Sequence, residues 1–219
     1  MIQPVKKKLN KVDTPVVSVN DIAIFYEENE VIKNLSFQIK KGDKAVITGE
    51  SGRGKSSILN ALLGFIPISA GNIYLFGKEL SPENIAKIRS HIAWLPQETA
   101  LHFNSVRDII YSLFSLKANK SNAPSTSELN QILNNLNIPS NLLIKNIDEI
   151  SGGQKQRILL AGAILLKKDI LIIDEPTSDL DEKNKKIITD FILSQEDLTV
   201  IAVSHDPYWI DNSNKKIVL

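Results

Sequence analysis

The sequence predicts an α/β fold: a parallel sheet flanked by helices, with an N-terminal antiparallel β subdomain and a small helical subdomain. Three observations predict it. Short β-branched runs alternate with segments of helical period along most of the chain. A glycine-rich loop, G-E-S-G-R-G-K-S-S (49–57), stands between a strand-like run and a helix-like run. The run I-L-I-I-D-E (170–175) is apolar without alternation, as in a strand covered on both faces.

Taken in order, V-V-S-V-N-D-I-A-I-F-Y-E (16–27) alternates roughly and reads as antiparallel strand, as does S-F-Q-I-K (36–40). K-A-V-I-T (44–48) is a buried strand, followed by the glycine loop and a helix over about 55–64. Strands follow at 71–77 and 91–96, the second stopped by proline. Apolar residues at helical spacing predict helices over 106–116 and 128–136, with a polar loop at 117–127 between them. After a further apolar helical run (158–166) come strand 169–175, helix 182–193 and strand 199–204; K-K-I-V-L (215–219) is a candidate last strand. The order β, βαβ, helical insert, βαβ implies a parallel sheet with helices on both faces. One domain of 219 residues is expected: a leader over 1–15, a core over about 16–99 and 160–219, and a helical subdomain over about 100–159.

Composition narrows the class. With 26 basic and 25 acidic residues the formal charge is +1, so no polyanionic partner such as nucleic acid is expected. Lys6, Lys7, Lys8 and Lys11 read as a solvated tail, with anionic lipid the alternative contact. The chain has no cysteine, which excludes disulfides and thiolate metal sites and suits the cytosol. His91, His102 and His205 share no ligand-like spacing. No run approaches the about 18 apolar residues that span a bilayer. The basic start has no apolar segment after it, so it does not read as a signal peptide.

The loop at 49–57 fits G-x-x-x-x-G-K-[ST] in the strand-to-helix context that motif requires, so a P-loop NTPase core is expected. Gly49, Gly52 and Gly54 permit tight turns that bring N–H groups to phosphate oxygens, and the helix start adds positive charge there. Lys55 is expected on the β- and γ-phosphates and Ser56 on Mg²⁺. Glu50, Ser51, Arg53 and Ser57 complete the candidate nucleotide-binding loop. In such a core a neighbouring strand delivers an aspartate to the magnesium, a role that falls to Asp174. Glu175 then faces the γ-phosphate as the candidate for activating water. On its own the Asp-Glu pair reads equally well as the start of a polar loop.

A second glycine-rich helix start, I-S-G-G-Q (150–154), comes about a hundred residues later. Ser151, Gly152 and Gly153 offer N–H groups and a hydroxyl, a second anion site. The stretch resembles the L-S-G-G-Q signature of ATP-binding cassette (ABC) ATPases, with isoleucine for leucine. The resemblance extends over roughly 16–219, in the family's order of motifs. Tyr26, 23 residues before Gly49, resembles the aromatic that stacks on adenine, although it also reads as a plain strand-end aromatic. L-P-Q-E (95–98) resembles the Q-loop, placing Gln97 near Mg²⁺ and the membrane partner. S-D-L-D (178–181) resembles the D-loop, with Asp181 reaching across a dimer. V-S-H-D (203–206) resembles the switch histidine, His205, at the γ-phosphate.

The resemblance implies a head-to-tail dimer, or pseudo-dimer, in which Ser151, Gly152, Gly153 and Gln154 of one chain cap the ATP held by the other. It implies an ATP-hydrolysing subunit on the cytoplasmic face of the membrane, with an integral membrane partner and ATP and Mg²⁺ as cofactors. Glu175 and His205 are the expected catalytic pair. Three departures stand out: Ser57 where threonine is common, Asp179 where the D-loop usually has a small residue, and I-K-N-I-D-E (144–149) where fused exporters carry an acidic-glycine segment. The first is expected to be harmless and the second to alter dimer contacts. Similarity around 146–157 and 203–219 leans toward short exporter-type cassettes, including those of metal export. Two alternatives stay open: a non-transport ABC ATPase, which usually carries coiled-coil insertions not seen here, and a domain excised from a fused exporter.

Overall fold

The computed structural model describes residues 14–26, 29–97 and 103–219. Residues 1–13, with the four lysines of the leader, lie outside them, as do Glu98 and His102. Two sheets form the frame. The first is antiparallel: β1 (Val17–Tyr26) lies between β2 (Asn29–Ile39) and β4 (Ala70–Leu75), with β5 (Lys78–Glu79) at the edge. Alternation along β1 breaks after Val19, where the register shifts and Asp21 takes φ +46°. The Ser36 hydroxyl holds this bulge, accepting from Asp21 N–H at 2.8 Å and donating to its carboxylate at 2.7 Å.

The second sheet is parallel, ordered β6 (Ile92–Leu95), β7 (Ile170–Asp174), β8 (Thr199–Val203), β3 (Lys44–Thr48) and β9 (Lys215–Val218). Its strands send alternate residues into two separate cores. Val46, Leu171, Ile173, Val200 and Ala202 face α3 (Val106–Ser115), α4 (Thr126–Asn135), α5 (Gly152–Leu165) and α6 (Glu182–Leu193). Ala45, Ile47, Ile172, Ile201 and Val203 face α1 (Lys55–Leu62) and the antiparallel sheet. Burial on both faces explains why β3, β7 and β8 read as unbroken apolar runs.

The structure departs from the sequence expectation in four places. β2 starts seven residues earlier, at Asn29, because it pairs along almost the whole of β1. α4 starts at Thr126, inside the stretch expected to be loop, because Ser125 and Glu128 form a capping box there. Two short helices were not expected: α2 (Ile85–Arg89), and α7 (Pro207–Asn212), which follows an Asp206 cap with proline in its first turn and is anchored by the fully buried Trp209. β8 also stands between β3 and β7, so the strand carrying Asp174 is next but one to the phosphate loop.

Glu128 caps α4 and also accepts from Lys167 beyond α5, and the lysine and the cap together hold its carboxyl down at about 2. A depressed carboxylate stabilises the fold above its unfolded value and loses that contribution as pH falls through its folded value. Glu128→Gln should therefore lower the thermal midpoint at neutral pH, and the gap should close as pH falls from 4.5 toward about 2. Thermal melts across that range check it.

Candidate functional site

The C-terminal ends of β3, β8 and β7 lie side by side, with Ile47 and Asp174 both in register with Val203. Ligands of open parallel sheets bind at this edge. After β3 the chain turns through Gly49, Gly52 and Gly54 at φ +150°, +84° and +81°. Glycine is required twice over at 54, where a Cβ would stand 2.4 Å from Val31 Cγ1 and the conformation is left-handed. Gly54 caps α1 without a side chain, whereas α3, α4 and α5 each begin with a serine capping box. The first-turn N–H groups of α1 are thus left for a ligand, the condition for anion binding.

Lys55 is 7 % exposed and turns back over the loop, donating to the carbonyls of Gly49 (3.0 Å) and Glu50 (2.9 Å). Glu50 and Arg53 pair with each other at 3.1 Å on the exposed side. They do not line the open cleft of about 910 Å³ beside the loop, and neither does Gly49. Ser51, Gly52, Gly54, Lys55, Ser56 and Ser57 do line it. So do Tyr26, Gln97, Asp174, Glu175 and His205, brought in from four other parts of the chain. Tyr26 stands 72 % exposed at the end of β1, an aromatic face open to a planar ligand.

Asp174 is 8 % exposed, and its Oδ1 is buried with no hydrogen-bond partner among the described residues. Burial pushes its carboxyl above the usual value, against the opposing pull of the Ser56 hydroxyl and the Lys55 charge. An orphaned buried carboxylate oxygen beside a serine hydroxyl fits Mg²⁺, which takes few protein ligands and completes its shell with water and phosphate oxygens. Among the described residues no group of three or more histidine or acidic side chains is placed to hold a metal ion.

Glu175 follows at φ +51°, a left-handed conformation costing a non-glycine residue roughly 1–3 kcal/mol. The kink turns its carboxylate toward His205, whose Nε2 lies 3.5 Å from Oε1 and whose backbone N–H donates to Oε2 at 3.4 Å. Burial raises the carboxyl, His205 opposes that, and the neighbouring Asp174 charge adds to it. A raised value favours proton acceptance near neutral pH.

The second glycine-rich start lies elsewhere. Ser151 caps α5, its hydroxyl accepting from Gln154 N–H at 3.2 Å while Gln154 Oε1 accepts from Ser151 N–H at 3.0 Å. The hydroxyl proton remains to be donated, and the N–H groups of Gly152 and Gly153 have no acceptor within the helix. The Gln154 side chain is engaged in the cap and does not line the cavity of about 460 Å³ in front of this start. Asp179, Leu180 and Asp181 line it with Ser151, Gly152 and Gly153, and no residue lines both this cavity and the first. A Cβ on Gly153 would stand 2.7 Å from the Asp179 carbonyl, and one on Gly152 3.6 Å from the Asp179 carboxylate. The D-loop therefore packs directly on the glycines, with its unusual acid beside them. Asp181 caps α6, and its bonds from Asn184 N–H (2.9 Å) and Nδ2 (2.7 Å) hold its carboxyl low.

Sequence reasoning missed Thr177, Asp206 and Gln156. Thr177 and Asp206 line the first cleft and bond to each other at 3.1 Å. The Asp206-Pro207 pair, a helix-start signal, marked the position of the second. Gln156 lies two residues past the quoted I-S-G-G-Q stretch, and nothing in its spacing says that it faces the turn after β7.

Comparisons with known proteins agree with this geometry. A family model described as ABC transporter matches residues 32–178. The chain is 33 % identical over 216 residues to the energy-coupling factor transporter ATP-binding protein EcfA1 of Mycoplasma pneumoniae, covering 96 % of this chain and 78 % of that one. It is 32 % identical to the ergothioneine transport ATP-binding protein EgtV of Helicobacter pylori (87 % and 90 % covered). It is 27 % identical to the probable iron export ATP-binding protein FetA of Escherichia coli (94 % and 92 % covered). Among solved structures, a dimeric ATP-binding cassette bound to ADP and Pi in a post-hydrolysis state superposes with a TM-score of 0.79 at 24 % identity, over 93 % of this chain and 94 % of that one.

Two raised carboxyls make the site unstable when empty. A carboxyl raised on folding favours the fold below its unfolded value and loses that contribution as pH rises through its folded value. Asp174→Asn should therefore melt higher than the wild type at neutral pH without ligand, and the two should converge near pH 3.8 and below. Melts of both proteins without nucleotide or metal, from acid to neutral pH, check it.

Proposed function

The chain belongs to the ABC transporter family, and from that premise we propose that two copies share two ATP sites, each joining the phosphate loop of one copy to the glycine-rich start of α5 in the other. The chain is an ATPase, the nucleotide-binding subunit of a membrane transporter. The observation that carries the shared-site reading is the separation of the two clefts. One has the hydrolytic residues and the other an open helix start, and no residue lines both.

In the first cleft the N–H groups of the loop cradle the phosphates of ATP, and Lys55 leaves the Gly49 and Glu50 carbonyls to reach the β- and γ-phosphates. Tyr26 stacks on adenine. Ser56, Asp174 and Gln97 are the candidate Mg²⁺ set, and the ion would neutralise charge developing between the β- and γ-phosphates. Ser151, Gly152 and Gly153 of the second copy donate to the γ-phosphate from the far side, with Gln154 keeping the helix start in shape. Asp181 reaches across the same interface. Glu175 takes a proton from the attacking water while His205 contacts the γ-phosphate; the bond to the leaving oxygen breaks, giving ADP and phosphate.

Coupling is a shift of population. Moving an open dimer from 1:99 to 99:1 closed takes about 5.5 kcal/mol of differential binding, supplied by the γ-phosphate contacts that exist only when the copies meet. Hydrolysis removes them. We assign residues 1–15 as a leader, about 16–99 and 160–219 as the nucleotide core, and about 100–159 as the helical subdomain on which cytoplasmic loops of the membrane subunits sit. Among the described residues no helix is long and apolar enough to cross a membrane. We place the transport path and the choice of cargo in those membrane subunits, with this chain on their cytoplasmic face. The named relatives are consistent with that division, since they share the cassette while serving different cargoes.

Lys55→Ala should lose ATP turnover by at least about a hundredfold, and purification from detergent-solubilised native membranes should bring down a stoichiometric multi-span protein. Full turnover in the variant would contradict the assignment of the loop. Recovery of soluble proteins or nucleic acid alone would contradict the transport role.

A further inference from the structure

The signature helix is tied to the hydrolytic residues by one side chain that the mechanism above does not use. Gln156 projects from the second turn of α5 and lies half-buried against the turn after β7. Its Nε2 donates to the Glu175 carbonyl at 2.9 Å and stands 3.4 Å from Ser178 Oγ. Its Oε1 accepts from the Asp179 N–H at 3.3 Å. A single amide thus holds the main chain at Glu175 and at the D-loop, 19 and 23 residues further along the chain.

We propose that Gln156 is a positioning residue that fixes the aim of Glu175 and the D-loop relative to the signature helix. The proposal rests on the assignment of Glu175 as the group that accepts the proton from water.

The conformation of Glu175 is why such a clamp is needed. At φ +51° the residue sits in a region that glutamate disfavours, so its neighbours must hold it there. Its N–H is held from β8, by the Val203 carbonyl at 3.0 Å. Its carbonyl is held from α5 by Gln156, and from within the turn by Ser178, whose hydroxyl donates at 3.3 Å and whose N–H donates at 3.4 Å. The Ser178 bonds are local and move with the turn. Among the described residues Gln156 alone connects that carbonyl to a different element, the helix whose start is offered to the second copy's γ-phosphate.

The chemistry of the contact selects glutamine. The pair of partners is a carbonyl and an N–H, so the side chain must donate and accept at once, which the uncharged amide of glutamine does through two separate atoms, Nε2 and Oε1. Glutamate at 156 would keep the bond to Asp179 but set a carboxylate against the Glu175 carbonyl. Methionine would fill the space and make neither bond. A displacement of about 1 Å in a catalytic group can cost about a hundredfold in rate while leaving ground-state binding alone.

The test compares Gln156→Met and the isosteric Gln156→Glu with the wild type in three measurements. These are kcat and KM for ATP, the affinity for ADP, and ATP-driven dimerisation followed in a Glu175→Gln background where hydrolysis is blocked. Gln156 as a positioning residue predicts a kcat lower by roughly 10- to 100-fold in both variants. KM, ADP affinity and dimerisation should stay within about twofold, consistent with loss of an interaction that acts on the transition state alone. Wild-type kcat in either folded variant overturns the proposal. So does a fall in kcat matched by loss of dimerisation, which would make Gln156 a support of the signature start only. Glu175→Gln turning over at the wild-type rate would instead overturn the assignment of Glu175, a result separable from either outcome at 156.

Discussion

The backbone register of three parallel strands is the constraint on which the rest depends. β3, β8 and β7 are hydrogen-bonded so that Ile47, Val203 and Asp174 end at one level. That alignment brings residues from three distant segments, within 51–57, 174–175 and 203–207, to one edge of a cleft. Because the strands are buried on both faces, a slip of one residue would exchange the side chains that face the two cores. Packing therefore fixes the geometry of the phosphate site to within a residue, even though few of the core side chains touch the site.

Within that frame the protein leaves polar groups unsatisfied on purpose-built surfaces. The first turn of α1 has no side-chain cap, Asp174 Oδ1 has no hydrogen-bond partner among the described residues, and Glu175 is held in a disfavoured conformation. The first two cost stability in the empty state and are groups that an anion and a cation arriving together would satisfy, whereas the Glu175 conformation is held by backbone bonds from β8 and α5. The start of α5 follows the same logic at lower cost, since Ser151 and Gln154 satisfy the cap while leaving two glycine N–H groups outward. The Asp179 carboxylate beside those glycines adds a like charge where an incoming phosphate would sit, so the closed state must work against it.

The sequence displayed the site well because most of its parts are local. A loop, a strand end and two helix starts are each fixed by a few consecutive residues, and glycine, serine and proline mark them by conformational necessity. Residues that act through tertiary contact were not legible. Gln156 has the same local pattern whether it faces solvent or the Glu175 carbonyl, and the difference arises only when the start of α5 meets the turn that follows β7. The length of β2 is set by its pairing with β1 and not by its own alternation, which is why its first residues do not read as strand. The short α2 and α7 carry too few residues for a helical period to show. Gln154 had the opposite fate, since its place in the signature suggested a ligand contact, and the structure engages its side chain in the cap of its own helix.

The central claim is that one ATP site needs two copies of the chain. Sedimentation of Glu175→Gln with ATP, compared with the same protein carrying Ser151→Arg, tests it most directly. The first protein should move from 24.3 kDa to twice that mass on adding ATP but not ADP, while the second should bind ATP and remain a monomer. A Ser151→Arg protein that still forms the ATP-dependent dimer would contradict the shared site.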